Sequence, residues 1–251
     1  MSQPTAAMLV IGDEILSGRT RDANAHHLAC TMTEIGVRLT EIRMIGDEQG
    51  EIVEAVNTLR ARVDYLFTSG GIGPTHDDIT ADAVAAAFAV PIDVRADALA
   101  ILQDRYAKMG TEINEARLRM ARIPDGAELI ENPVSGAPGF ELGNVHVMAG
   151  VPSIFQAMLE SIRPTIQGGP PVLSHTFRCM VGEGDLAGPF GEIAAAFPDV
   201  AMGSYPFGGH GAMLVLRTPD RGRLALAADA LREALIPLGG ADSETGPDEQ
   251  S

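Results

Sequence analysis

The chain has 251 residues, enough to bury a large core, and its 45% hydrophobic and 21% charged content is that of a folded globular protein rather than a disordered one. With 18 basic against 34 acidic residues the formal net charge is -16, which argues against sequence-independent binding to nucleic acid or to an anionic membrane surface. Cys30 and Cys179 form no Cys-x-x-Cys pair, no basic-then-apolar leader opens the chain, and no apolar run approaches the ~18 residues of a membrane span; a soluble, cytoplasmic protein is expected.

Ala6 to Ile11 is an unbroken apolar run and reads as a buried first strand, ending at Gly12-Asp13-Glu14. Polar residues follow as far as Asn24, whose side chain suits the N-cap of a helix running to about Ile35. Leu39 to Ile45 alternates as a second strand, closed by Gly46-Asp47-Glu48, and Ile52, Val53, Val56 and Leu59 recur at helical spacing before a third strand at Tyr65 to Thr68. Repeated strand and helix predict a mostly parallel sheet covered on both faces, an α/β three-layer αβα sandwich. Ligands of such sheets sit beyond the carboxyl ends of the strands, where Asp13, Glu14, Asp22 and Asp47 all fall. Taken alone, Asp47 reads as a turn residue or a helix cap.

The third strand runs into Ser69-Gly70-Gly71-Ile72-Gly73-Pro74-Thr75-His76-Asp77-Asp78-Ile79-Thr80 and then an alanine-rich helix, Ala81 to Ala89. Glycines let the backbone turn its amides toward one point, and the free amides of a helix start favour an anion. Asp77 and Asp78 would repel a bare phosphate there, unless one caps the helix and the other holds a divalent cation such as Mg, Mn or Co that bridges to the ligand. Thr75 can donate its hydroxyl.

Downstream, Ala96 to Lys108 and Asn114 to Arg122 read as helices, the second carrying Arg117, Arg119 and Arg122; of these, Arg117 and Arg119 are candidates for a second phosphate contact. A short strand at Glu128 to Ile130 precedes a rigid loop from Asn132 to Phe140 that contains Gly136, Pro138 and Gly139. Val145 to Met148 is another buried strand, in which His146 reads as a structural edge residue, and Gly150 and Pro152 open a helix with Phe155, Met158, Leu159 and Ile162 on one side. Pro164 to Pro171 is a linker, and residues 174–236 alternate as a small α+β unit. The expected organisation is a domain at 1–166, a second at 172–238 and a disordered acidic tail at 239–251. Gly182 to Ala187 fits a dinucleotide-fold glycine pattern, but Ser174 to Val181 before it is too polar for the strand that fold needs.

The string Gly70 to Thr80 resembles the signature loop of the MoaB/Mog molybdopterin-binding superfamily, and its Pro74-Thr75-x-Asp77-Asp78 form resembles the branch containing the N-terminal domain of CinA, the competence/damage-inducible protein. Gly12-Asp13-Glu14 followed by Asp22-x-Asn24, the Asn132 to Phe140 loop, Gly150-Val151-Pro152 and Ser204-Tyr205-Pro206 resemble CinA-type segments in the same order, although Ala149 stands where the family usually has proline. The resemblance implies a homo-oligomer, dimeric or trimeric, that takes a nucleotide or pterin. It implies catalytic roles for Asp47, Asp77 and Asp78, with Asp78 and Asp47 toward the metal. Gly12, Asp13, Glu14, Asp22, Asn24, Ser69, Gly70, Gly71, Gly73, Pro74, Thr75, Gly136, Pro138, Gly139, Gly150 and Pro152 are then the ligand-binding set. Two kinds of function follow: a metal-dependent hydrolase of a dinucleotide pyrophosphate such as ADP-ribose or FAD, or a non-catalytic module that holds molybdopterin or a nucleotide. Mog-type relatives imply a third chemistry, adenylyl transfer to molybdopterin.

Overall fold

A computed structural model describes residues 3–208 and 211–247, which divide into two compact units between Gly169 and Pro170. In the first unit, β1 (Thr5–Ile11) leads through a short helix α1 (Asp13–Leu16) to α2 (Asn24–Glu34), then β2 (Arg38–Ile45), α3 (Gln49–Arg60) and β3 (Tyr65–Ser69). After the glycine loop come α4 (Thr80–Phe88), β4 (Ile92–Val94), α5 (Ala96–Lys108), α6 (Glu115–Leu118), β5 (Arg122–Pro124), β6 (Glu128–Ile130), β7 (Gly139–Leu142), β8 (Val145–Met148) and α7 (Pro152–Ile162).

The main sheet has the order β2-β1-β3-β8-β7-β6. β1 pairs in parallel with β2 and β3, β3 in parallel with β8, and only the β8-β7 and β7-β6 pairs are antiparallel. Strand β1 explains why an unbroken apolar run was needed: Ala7, Leu9 and Ile11 enter one core with Ile52 and Val56 of α3, Val84 of α4 and Leu102 of α5. Its alternate residues Ala6, Met8 and Val10 enter a second core with Leu28 and Met32 of α2 and Phe155 and Leu159 of α7. Helices thus cover both faces, giving the three layers. Each fully buried Phe or Leu contributes about 1.5–3 kcal/mol of burial free energy.

The second unit is a four-stranded antiparallel sheet, β10-β11-β9-β12, with β9 (Leu173–Cys179), α8 (Glu183–Ala196), β10 (Ala201–Phe207), β11 (Gly211–Thr218), α9 (Arg221–Leu235) and β12 (Ser243–Thr245). Phe177, Leu214 and Leu216 of the sheet pack on Leu186 of α8 and Leu224 and Leu231 of α9. Among the described residues, no helix is long and apolar enough to cross a membrane.

Four expectations are corrected. The segment 239–247 is not disordered: β12 pairs with β9, and Glu244 is fixed by Arg232 at 2.7 Å and His175 at 3.1 Å. Residues 248–251 of the expected tail lie outside the described residues. The helix read from Asn114 to Arg122 stops at Leu118, passes through a 3-10 turn and becomes β5, which pairs with β4. Gly139 and Phe140, read as loop, open strand β7. His146 lies in an interior strand, is 2% exposed, stacks on Phe67 at 4.9 Å between ring centres and faces Glu141 at 3.3 Å.

Candidate functional site

β1 and β3 lie side by side, yet the chain leaves β1 toward β2 on one side and β3 toward β8 on the other. This reversal opens a crevice at their carboxyl ends, and the glycine loop is built across it. Gly70 donates its N–H to the Met148 carbonyl at 3.1 Å and has φ +107°; a Cβ there would stand 2.2 Å from the Ile11 carbonyl oxygen. Gly71 has φ +68°, and its Cβ would meet the Thr80 hydroxyl at 2.1 Å. Only glycine satisfies both the backbone angle and the space.

Thr80, the first residue of α4, fastens the loop at its neck. It is fully buried, donates its hydroxyl to the Gly70 carbonyl at 3.0 Å and its N–H to the Gly71 carbonyl at 2.9 Å. With the carbonyls so occupied, the N–H groups of Gly71, Ile72 and Gly73 donate to no acceptor among the described residues, and the three residues are half-buried. Such a row of unpaired amides is what a phosphate group needs. Sequence reasoning passed over Thr80 because a threonine beginning a helix looks like an ordinary start.

The two loop aspartates behave differently. Asp78 accepts the N–H and the hydroxyl of Thr75, at 2.7 and 2.5 Å, and sits so close to Gly73 that a Cβ on that glycine would stand 2.7 Å from the carboxylate. Asp77 is exposed and stands 3.9 Å from His76. Neither caps α4, whose N-cap is Ile79 with no side-chain bond. The expected capping role is therefore corrected, and the Thr75 hydroxyl is spent within the turn. Arg119 comes to the same turn, donating to the Asp78 carbonyl at 3.1 Å while its Nε is buried without a partner. Arg117 does not: it lies over Tyr106 and donates to the Glu112 carbonyl at 2.6 Å.

On the β2 side, Asp47 accepts the Asp13 N–H at 2.9 Å, and Gly12 donates to the Ile45 carbonyl at 3.1 Å. Partial burial raises the Asp47 pKa first, and the negative charges of Asp13, Glu14 and Asp77 add to it, against the lowering effect of the Asp13 N–H. The structure therefore sets Asp47 beside Asp13 at the end of β2. Asp78, its expected companion toward a metal, turns to Thr75 instead.

Two clefts flank the loop. One, with only about 20 Å³ of free space, is lined by Gly73, Asp78, Arg119, Pro138 and Phe140, with the Arg122–Asp82 ion pair at 2.7 Å on its wall. The other, with about 40 Å³ of free space, is lined by Glu14, Asp22, Asn24, Ser69, Gly150 and Pro152. Asn24 was expected to cap α2, but that bond is made by Asp22, which accepts the N–H groups of Asn24 and Ala25 at 3.3 and 3.0 Å. Asn24 is released to span the second cleft: its amide donates to the Ser69 hydroxyl at 2.8 Å and the Gly150 carbonyl at 2.7 Å, and its Oδ1 is buried with no partner. Gly150 packs on Gly70, a Cβ at Gly150 falling 3.2 Å from the Gly70 Cα. Pro138 belongs to the first cleft, whereas Gly136 packs on the Arg105 side chain and Gly139 on the Val147 carbonyl, so these two shape the wall rather than face the cleft. Asn132 holds that wall with four bonds, including those to the Ser135 hydroxyl and the Ala137 carbonyl at 2.6 and 2.7 Å.

Residues 7–168 match the family described as "Probable molybdopterin binding domain", the MoaB/Mog type. The chain belongs to this family, in its CinA-like branch. Residues 171–239 match the middle domain of FAD synthase. The CinA-like chain is 33% identical over 244 residues to a protein of Aeropyrum pernix, covering 94% of this chain and 91% of that one. It is 35% identical over 182 residues to a CinA-like protein of Myxococcus xanthus, covering 69% of this chain but 43% of that one. A crystal structure of CinA from Thermoplasma acidophilum superposes with a TM-score of 0.60 at 32% identity, covering 64% of this chain and 97% of the other.

Among the described residues, no three His, Cys, Asp or Glu side chains gather as a ready-made metal site. The donors present suit a different arrangement: Asp47, crowded by like charges, is an oxygen ligand that a hard cation would relieve, and a cation of the Mg type is commonly held by one or two carboxylates plus the phosphates of its ligand.

Proposed function

We propose that this CinA-like chain binds the diphosphate of a nucleotide or pterin on the amides of Gly71, Ile72 and Gly73, and hydrolyses a dinucleotide pyrophosphate of the ADP-ribose or FAD class with the help of a divalent cation. The observations that carry the reading are the loop amides without an acceptor at the crevice between β1 and β3, and the Asp47 carboxylate held on the Asp13 N–H at the end of β2. The match of residues 171–239 to part of FAD synthase supports a flavin or adenine nucleotide as substrate.

The chain's own residues would divide the work. The loop amides orient the diphosphate, and Thr80 keeps them aimed by holding the Gly70 and Gly71 carbonyls away. Asp47, with Asp77 assisting, would hold the cation, which would neutralise charge on the phosphoryl oxygens. Asp78 keeps the loop in its turn through Thr75. The Asn24 Oδ1, buried and unpaired, accepts a hydrogen bond from the ligand's N–H or O–H.

A second reading, a module that binds without turnover, is favoured by the absence of a converged three-ligand metal site among the described residues. The test is to incubate the full chain with ADP-ribose, FAD or ATP, each with Mg, Mn or Co, and to follow AMP release beside binding calorimetry. AMP release that is lost in Asp47→Asn supports hydrolysis. Binding without AMP supports the module, and neither binding nor release overturns both.

A further inference from the structure

The second unit carries a feature that the glycine-loop site does not use. Helices α8 and α9 pack on the face of its sheet that holds Phe177, Leu214 and Leu216, so the alternate residues of each strand point away from them. Across that open face the register sets Tyr205 of β10 beside Met213 of β11, and Met213 beside Arg178 of β9. Tyr205 and Met213 are 46% and 40% exposed.

Two aromatic rings lie against this face because glycine leaves room beneath them. A Cβ at Gly203 would stand 3.1 Å from the Tyr205 Cε2 and hydroxyl, so the ring leans back along its own strand, and Arg217 pins its far end by donating to the hydroxyl at 3.0 Å. A Cβ at Gly211 would stand 2.5 Å from the Phe207 Cζ, and the Arg178 guanidinium lies 4.6 Å from the centre of the Phe207 ring. Charge separates the two faces. Glu244 is the one acidic residue in the four strands, and it stands opposite Phe177, on the helix side. The open face of a chain with net charge -16 therefore presents two arginines and no carboxylate from its strands.

We infer that this face is a nucleotide site, with the base stacked on the Tyr205 ring, Met213 at its edge, and the phosphate on Arg178. A ring held flat with one side open stacks a base of any kind, and its orientation is fixed before the ligand arrives. Neighbouring strands lie about 4.8 Å apart, so Arg178 stands roughly 10 Å across the sheet from Tyr205, a span that the ribose bridges. Arginine then holds the phosphate through charge-assisted hydrogen bonds. The ligand is a mononucleotide rather than a nucleic-acid strand, because the whole chain repels a long polyanion while a single phosphate meets only the local cations. Pairing of another chain along the sheet is discouraged on this side, since β10 is the outer strand and contains Pro206. The site rests on residues of the second unit alone and stands whether or not the glycine loop binds a diphosphate.

The test uses the full chain with its three tyrosines labelled for ring NMR, the Tyr205 signals being assigned by their loss in Tyr205→Leu. Millimolar AMP should move the Tyr205 ring signals upfield, as a base stacked over them does, and leave those of Tyr65 and Tyr106 in place. Ribose 5-phosphate should not move them, and adenosine should need about tenfold more ligand than AMP. Arg178→Gln and Met213→Glu, both at exposed positions and checked as folded by circular dichroism, should each weaken AMP at Tyr205 about tenfold. The shift should persist in Asp47→Asn, so that failure of the loop site and failure of this one read differently. A Tyr205 ring unmoved by millimolar AMP, an equal shift with ribose 5-phosphate, a shift unchanged in Arg178→Gln and Met213→Glu, or one lost in Asp47→Asn overturns the proposal. So does a single-stranded oligonucleotide that moves the ring at lower concentration than AMP.

Discussion

The Asp47 carboxylate accepts the Asp13 N–H at 2.9 Å while it faces the negative charges of Asp13, Glu14 and Asp77. One neutral partner thus holds it against three repulsive ones. Its pKa stands above the ordinary 3.8, so this group destabilises the fold once ionised: stability is fullest below 3.8 and falls as the pH rises through the folded pKa. Asp47→Asn, which keeps an acceptor for the Asp13 N–H, should therefore raise the melting temperature at pH 7 and lose that advantage near pH 3. Thermal melts across that range check the sign.

The same crowding couples Asp47 to a cation. A divalent ion that binds the folded state alone raises its stability by mass action. Millimolar Mg or Mn should raise the melting temperature of the wild-type chain in the presence of ADP-ribose, and raise that of Asp47→Asn much less. An equal rise in both would place the cation away from Asp47.

Gly70 and Gly71 should tolerate no side chain. At Gly70 an added Cβ would lie 2.2 Å from main-chain oxygen that β1 cannot move, and both residues have positive φ. Gly70→Ala is expected to cost about 2–4 kcal/mol, from the strained angle and the clash together. Urea unfolding measures this. Gly18→Ala, with positive φ but open space around it, is the comparison that isolates the clash and should cost less.

The acid limb of stability belongs in part to the second unit. Glu244 accepts Arg232 and His175, with the Arg232 bonds the largest of the effects that hold its carboxyl below the ordinary 4.5. Stability from this pair is present above 4.5 and is lost as the pH falls through the folded pKa. Glu244→Gln should expose the β12 segment to proteases at pH 7 and flatten the acid dependence of that exposure. The effect on global stability should be no more than about 1 kcal/mol, because the pair is partly exposed. Limited proteolysis between pH 3 and 8 reads both effects.

The layers were legible because a buried parallel strand must be apolar on both faces, and Ala6 to Ile11 can be little else. The glycine loop was legible because backbone angles restrict residue type. What could not be read were pieces set by distant partners. The helix through Arg119 is cut where Arg119 reaches the Asp78 carbonyl and Arg122 reaches Asp82, 41 and 40 residues away in sequence. β7 begins at a glycine whose neighbour is the Val147 carbonyl, a close approach with no local signature. β12 is an acidic segment made into a strand by one arginine and one histidine. In the candidate site, the place of Asp47 after β2 was readable, but the capture of Asp78 by the Thr75 N–H and hydroxyl was not.

Asn24 gives the sharpest division between fold and function. Its Nδ2 ties α2 to both the end of β3, at Ser69, and the start of the α7 turn, at Gly150, and so holds the second cleft to its shape. Asn24→Ala removes both bonds and leaves the buried Ser69 hydroxyl and the Gly150 carbonyl short of a donor, at an expected cost of about 1–3 kcal/mol. Asn24→Asp does something else: it supplies acceptors but no Nδ2 donor, and puts a charge beside Asp22 and Glu14 on the same cleft. If the unpaired Oδ1 is a ligand contact, nucleotide affinity in Asn24→Ala should fall about tenfold or more beyond what Asp22→Ala, which loosens the helix start and removes a carboxylate from the same cleft, brings about. Calorimetric titration of both variants with ADP-ribose or FAD, set beside their unfolding curves, separates the two effects. Parallel losses of affinity in Asn24→Ala and Asp22→Ala would make Asn24 a strut of the cleft and remove it from the ligand.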